Sequence, residues 1–267
     1  DLAESEPLRL YAHHLDDIQR LRPHTLDTPR EELLAAAGNV TRGASQVYSA
    51  LTNADLRFPT IEDEQGRPVE LTQARFARFL RSPDRRVRRD AFRATLDTFG
   101  SVRNTLAANL DANVRNHVFR AEARRYESCL HASLHQDAVP VAVYHALIEQ
   151  VRAHLPLVHR ITALKKRVLG VDPLEEHDLY VPLFTRGEFK YGYDEAQDVV
   201  RTALSPLGDA YGDILHRAFT EGWIDVHENV GKRSGAYSSG VYDTDPYILL
   251  NWSDQLGDTF TLVHELG

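Results

Sequence analysis

The chain has no methionine and one cysteine, Cys129, among its 267 residues. A single cysteine excludes an internal disulfide framework and favours a reducing compartment, so a cytoplasmic location is expected. Cys129 lies in a helical pattern and reads as a small buried hydrophobe rather than a nucleophile. No run of eighteen apolar residues occurs, which leaves no candidate for a membrane-spanning helix. Positive charge is also short: 31 Lys and Arg stand against 39 Asp and Glu, a net charge of -8. Phosphate binding needs clustered cations, so a nucleic-acid partner is not expected. The basic stretch 81–89 is the exception, and its acidic flanks make it read as a solvated helix face. Walker, Rossmann and nucleophile-elbow patterns are absent.

What is present is an ordinary globular composition, 42% hydrophobic and 26% charged. The length supports one large domain or two modest ones. The chain starts at Asp1 and stops inside an apparent helix. Part of a longer polypeptide is therefore expected, and a targeting peptide would not be visible in it.

Helical periodicity dominates. Leu8, Tyr11, Leu15 and Ile18 form one apolar stripe, which Pro23 ends. Thr28-Pro29-Arg30-Glu31 reads as a capping box that opens a helix to about Asn53. Alternation around Asp63-Glu64-Gln65-Gly66 predicts a small β-hairpin between Leu56 and Thr72. Ser82-Pro83 restarts helix as far as about His135, with Gly100 as a bend or a division into two helices. Pro140 opens another, which Pro156 should interrupt and Gly170 should cap. The segment 180–184 reads as extended. Asp194 to Gln197 reads as a second capping box, with the helix ending near Ser205-Pro206, and a further helix runs to about Phe219. Strands are expected at Trp223–Val226 and Tyr247–Trp252, with a Gly- and Ser-rich loop at 229–240 between them. Ser253 is positioned to cap a last helix carrying Leu256, Phe260 and Val263.

That last helix ends in His264-Glu265-Leu266-Gly267. A zinc hydrolase of the HExxH type needs two histidines one helical turn apart, so that both imidazoles reach one metal. The glutamate beside the first histidine can take a proton from water as it attacks a peptide carbonyl, then pass it to the leaving amine. The chain supplies His264 and Glu265; position 268 lies beyond it. A His-Glu pair alone is a weak signal.

The surroundings add weight. Gly231-Lys232-Arg233-Ser234-Gly235-Ala236-Tyr237, then Pro246-Tyr247-Ile248-Leu249-Leu250-Asn251-Trp252, then Phe260 to Gly267 stand in order. Together they resemble the oligoendopeptidase F family of M3, thimet-like zinc metallopeptidases. Further upstream, Pro23-His24-Thr25-Leu26, Ala123 to Ser128 and Asp178 to Leu183 look like family segments too. The resemblance implies a mostly α fold, a helical shell around a deep substrate channel with a small β element before the zinc helix. It implies an N-terminal helical segment, 1–82, and the first part of a catalytic domain, 83–267. It makes His264 the first zinc ligand and Glu265 the general base. The remaining ligands and oxyanion residues would follow residue 267, and one histidine is too few to hold zinc well.

The function so implied is zinc-dependent cleavage of internal bonds in short unstructured peptides. A related HExxH carboxypeptidase and a non-catalytic peptide-binding scaffold are the alternatives. The strand before the zinc helix is expected to offer a free edge to an extended peptide. Gly235, Ala236 and Tyr237 are nominated as substrate contacts; the competing readings are that Gly235 serves only a turn and that Tyr237 packs. Lys232 and Arg233 are expected to pair with helix carboxylates. His131 and His135, four apart, are set aside as a metal pair, and Asp243 and Asp245 as a calcium loop.

Overall fold

The computed structural model describes residues 6–183, 191–229 and 232–267. Eleven α-helices occur among these residues: α1 (Ala12–Leu21), α2 (Thr28–Thr41), α3 (Gly43–Ala50), α4 (Gln73–Leu80), α5 (Arg85–Ser101), α6 (Arg103–Ala123), α7 (Cys129–His135), α8 (Val141–Leu169), α9 (Tyr193–Leu204), α10 (Asp209–Thr220) and α11 (Leu256–Leu266). Five short strands join them: β1 (Thr60–Glu62), β2 (Pro68–Glu70), β3 (Ile224–His227), β4 (Tyr237–Ser239) and β5 (Tyr247–Trp252). The mostly α class with a small β element ahead of the last helix is therefore what the sequence led one to expect.

Two compact units alternate along the chain. One comprises residues 1–51 and 102–161, the other 52–101 and 162–267. In the first, α3 packs along α6. Arg124 joins α2 to the end of α6 through paired 2.8 Å bonds to both carboxylate oxygens of Glu31. The candidate residues all lie in the second unit.

The second unit has two apolar clusters. Ile61 and Leu71 of the hairpin region bury against Phe79, Val87 and Ala91 of α4 and α5. Ala196 and Val200 of α9 meet Ile248, Leu250, Trp252 and Leu262, which ties α9, β5 and α11 together. Leu262 is fully buried, and burying a leucine side chain contributes about 2 kcal/mol. The β1–β2 hairpin turns where predicted. Asp63 Oδ1 accepts from the backbone N–H groups of Gln65 and Arg67 at 2.8 and 2.9 Å, an aspartate closing its own turn.

Several local expectations shift. The N-cap of α2 is Asp27, not Thr28; its carboxylate accepts from Arg30 N–H, and Glu31 accepts from Leu26 N–H. A charged oxygen one residue earlier is the stronger cap. The helix to Asn53 breaks at Arg42; the stretch to His135 divides at Val102, two residues past the Gly100 expected to bend or divide it, and breaks again across 124–128. Helix α8 runs through Pro156; a helix of 29 residues can lose one hydrogen bond without ending. Gly170 does cap it, at φ +64°. Gly192 precedes α9, and no side-chain cap forms from Asp194. The loop at 229–240 contains β4, too short for its periodicity to register. Of the segment read as extended, Phe184 lies outside the described residues, as does Gly231 of the glycine-containing loop.

Candidate active site

Helix α11 starts from a built corner. Asp258 Oδ2 accepts from Ser253 N–H, Ser253 Oγ–H and Gln255 N–H at 2.8, 2.9 and 3.0 Å. Gln255, rather than the expected Ser253, is the N-cap, and with Asp258 it forms a reciprocal capping box. Trp252 Nε1 donates to Asp254 Oδ1 at 2.9 Å, fixing the strand-to-helix turn. At the far end the Tyr211 hydroxyl donates to the carbonyl of Leu266. Thr259 and Leu262 bury one stripe of the helix, while Phe260 and His264, one turn apart, share the exposed one. Glu265 is half-buried. Neither the His264 imidazole nor the Glu265 carboxylate has a hydrogen bond or ion pair among the described residues.

The three-stranded sheet runs β3-β5-β4. β5 pairs parallel with β3 and antiparallel with β4, Tyr237 opposite Leu249 and Ser239 opposite Tyr247. The strand that leads into α11 is therefore the middle strand, and its edges are taken. This corrects the expectation of a free edge there. Among the described residues a free edge belongs to β4, which contains Tyr237 and follows Gly235 and Ala236. Gly235 has φ +92°, which L side chains rarely adopt, so the turn requires it. Tyr237 is 44% exposed and does not pack away. Asn251 of β5 holds this loop, donating from Nδ2 to the carbonyls of Arg233 and Gly235 at 3.0 and 2.8 Å.

Lys232 does not reach a helix carboxylate. Its buried side chain pairs with Asp225 of β3 at 3.0 Å and donates to the carbonyls of Asp225 and His227. The strand carboxylate is nearer in sequence, and the short loop leaves the lysine over β3.

A cavity of about 420 Å³ lies between α4, the loop entering β4, the end of β5 and the first turns of α11. Gly235, Ala236, Asn251 and Thr261 line it together with Arg78 and Arg81. Thr261 stands three residues before His264, so the cavity wall and the histidine lie along neighbouring stripes of one helix. A larger hollow of about 820 Å³, between the β1 region and α5, holds none of the nominated residues.

One cluster of ligand-type side chains stands apart from α11. Glu175, His177 and Asp178 bring an imidazole and two carboxylates close together. Asp178 is fully buried and accepts from Arg88 Nη2 at 2.8 Å, from Arg85 Nη2 at 2.9 Å and from Glu175 N–H at 3.1 Å. Burial pushes its carboxyl up, but the two guanidiniums outweigh that and hold it well below the usual carboxylate range. Burial likewise lowers His177, against the pull of its carboxylate neighbours. Two guanidiniums already neutralise Asp178, and a divalent cation beside them would be repelled. The cluster is an ion-pair hub that joins α5 to residues 173–178. Nothing in the spacing of these residues marks that role in the sequence. The stretch 81–89 is accordingly only in part the solvated face expected, since Arg88 is buried.

In the first unit, His131 and His135 join His24 and Tyr126 in a ring cluster. His24 stacks on Tyr126 at 3.7 Å, and His135 Nε2 bonds the carbonyl of Arg20. Among the described residues these histidines do not form a convergent ligand group.

The mostly helical fold is shared with solved peptidases. The oligoendopeptidase-F from Enterococcus faecium superposes with a TM-score of 0.65 at 39% identity, over 82% of this chain and 42% of that one. The chain belongs to peptidase family M3, on its oligoendopeptidase F side: the model for Peptidase family M3 matches residues 78–267, and that for Oligopeptidase F residues 2–58. The oligopeptidase PepF of Bacillus subtilis is 43% identical over all of this chain and 40% of its own length. The group B oligopeptidase PepB of Streptococcus agalactiae is 42% identical over all of this chain and 44% of its own. The chain thus spans less than half the length of the relatives it matches.

Proposed function

We propose that the complete protein is a zinc-dependent endopeptidase that cleaves internal bonds of short, unstructured peptides. The observation that carries this is the pairing of His264 and Glu265 at the end of a helix anchored at both ends, with neither side chain engaged elsewhere in the fold. An exposed imidazole and an adjacent carboxylate are the donor types a zinc hydrolase requires. His264 would supply one ligand, and the others would come from outside residues 1–267. Bound there, zinc supplies Lewis acidity toward water and the scissile carbonyl. Glu265 takes up the proton released as water attacks and returns it to the departing amine. The free edge of β4 can hydrogen-bond an extended peptide through its backbone whatever the side chains, with Gly235 and Ala236 allowing close approach and Tyr237 exposed beside them.

In this reading, residues 1–82 form an N-terminal segment and 83–267 the first part of the catalytic domain. The site of action is the cytoplasm, and neither nucleic acid nor membrane is a partner. No helix among the described residues is long and apolar enough to cross a membrane. The test is an internally quenched peptide blocked at both ends, offered to the full-length protein with and without a zinc chelator. Internal cleavage that the chelator stops is the expected result. Cleavage only of peptides with a free C-terminus would replace this reading by a carboxypeptidase. No cleavage and no bound zinc would replace it by a peptide-binding scaffold.

A further inference from the structure

The cavity beside Gly235 and Ala236 has an unbalanced wall. Gln73, Ala77 and Arg78 of α4, and Arg81 just after it, line one side of it. Neither the Arg78 nor the Arg81 guanidinium has an ion pair or hydrogen bond among the described residues, whereas Arg85, Arg86, Arg88 and Arg89 all have carboxylate partners. The one carboxylate lining the cavity is Asp258, and its Oδ2 is already taken by three donors at the start of α11. Arg81 lies against that same first turn: a Cβ built on Gly257 would stand 3.7 Å from its Nη1. A guanidinium beside the positive end of a helix dipole is electrostatically unfavourable until an anion joins it. The remaining walls are the loop entering β4, the end of β5 from Leu250 to Trp252, the turn into α11 and Thr261. A space of about 420 Å³ suits an amino-acid side chain or a chain end.

We infer that this cavity receives a carboxylate of the bound peptide, held by Arg78 and Arg81. Guanidinium groups suit it because they bind carboxylates through paired N–H donors. The carboxylate is either an acidic side chain or the C-terminus of the peptide. The inference rests on the peptidase reading for the presence of a peptide, and it adds which peptides are preferred.

The test measures binding rather than turnover, using full-length protein carrying Glu265→Gln and fluorescently labelled peptides. An end-amidated peptide with one glutamate, scanned through its length, is compared with its glutamine counterparts. A neutral peptide with a free C-terminus is compared with its amide. At least one acid should bind about tenfold more tightly than its neutral counterpart, the effect of one charge-assisted hydrogen bond. The preference should vanish when Arg78→Gln and Arg81→Gln are added, with neutral peptides bound as before. Whether the preference follows the side chain or the chain end identifies the source. Equal affinity for every acid and its neutral counterpart, a preference that survives both substitutions, or no binding of any peptide would overturn the inference. Cleavage of the neutral peptide by the wild-type protein is read separately and bears only on the peptidase reading.

Discussion

Two sets of ionisable side chains within one unit behave in opposite ways. Around Asp178 the charges are matched: Arg85 and Arg88 converge on its buried carboxylate, Arg85 also reaches Glu175 at 3.5 Å, and a backbone N–H completes the set. On α11 and the facing side of α4, His264, Glu265, Arg78 and Arg81 are all without partners among the described residues. Both sets are made of the same ordinary charged residue types, so composition does not separate them. Matched, buried charges specify how segments join, because breaking one strands another in a low-dielectric interior. Groups without a partner in the fold remain available to a ligand. The unit therefore divides into charged residues that hold the fold and charged residues with no partner within it.

Substitutions should respect that division. The largest effect is expected from His264→Ala in the full-length protein. Removing one of so few ligands should lower zinc affinity at least about a hundredfold, as read by metal analysis after dialysis, with the melting temperature of the metal-free protein unchanged. Retained stoichiometric zinc would remove His264 from the ligand set.

Asp178→Asn should do the reverse. It strands Arg88 without its counter-charge and should cost about 3–5 kcal/mol, seen as a shifted denaturant midpoint. A change below about 1 kcal/mol would show that the hub is not what joins α5 to residues 173–178. The same carboxyl sets a pH dependence. Its pKa is lowered in the fold, so the unfolded chain takes up a proton first as pH falls. The stability it provides is complete above the ordinary carboxylate pKa of about 3.9 and declines below it. Acid titration of wild type against Asp178→Asn should show a steeper loss for wild type below about pH 4, and parallel curves would contradict the assignment.

Gly235→Ala should cost about 1–2 kcal/mol from the positive φ alone, since a Cβ there meets nothing within 4 Å. If peptide affinity falls with stability unchanged, the glycine serves close approach rather than the turn. The smallest effect should be that of Arg89→Ala, whose pairing with the adjacent Asp90 is exposed. A change within about 0.5 kcal/mol is expected, and a larger one would blur the line between buried and exposed pairs.

Much of this architecture was legible in the sequence. Helical stripes, the Asp63 turn, β5 and α11 follow from periodicity and turn chemistry that act within a few residues. So did the His264–Glu265 pair, through the order of motifs around it. What stayed hidden depends on contacts distant in sequence. β4 is recognisable only once β5 lies beside it, and that pairing is also what moves the free edge from β5 to β4. Arg88 could not be told from a solvated arginine until Asp178, ninety residues on, folded against it. Arg78 and Arg81 are marked only by their place in the cavity wall, which the fold creates. Caps shifted by one or two residues because several Asp, Ser and Thr side chains compete for the same N–H groups, as at Ser253, Gln255 and Asp258.

The most direct measurement is Glu265→Gln in the full-length protein, with turnover, zinc content and melting temperature read on one preparation. The division between free and matched groups predicts turnover reduced by about three orders of magnitude, with zinc and stability as in wild type. Turnover close to wild type would contradict it, and Glu265 would then not be the group that moves the proton.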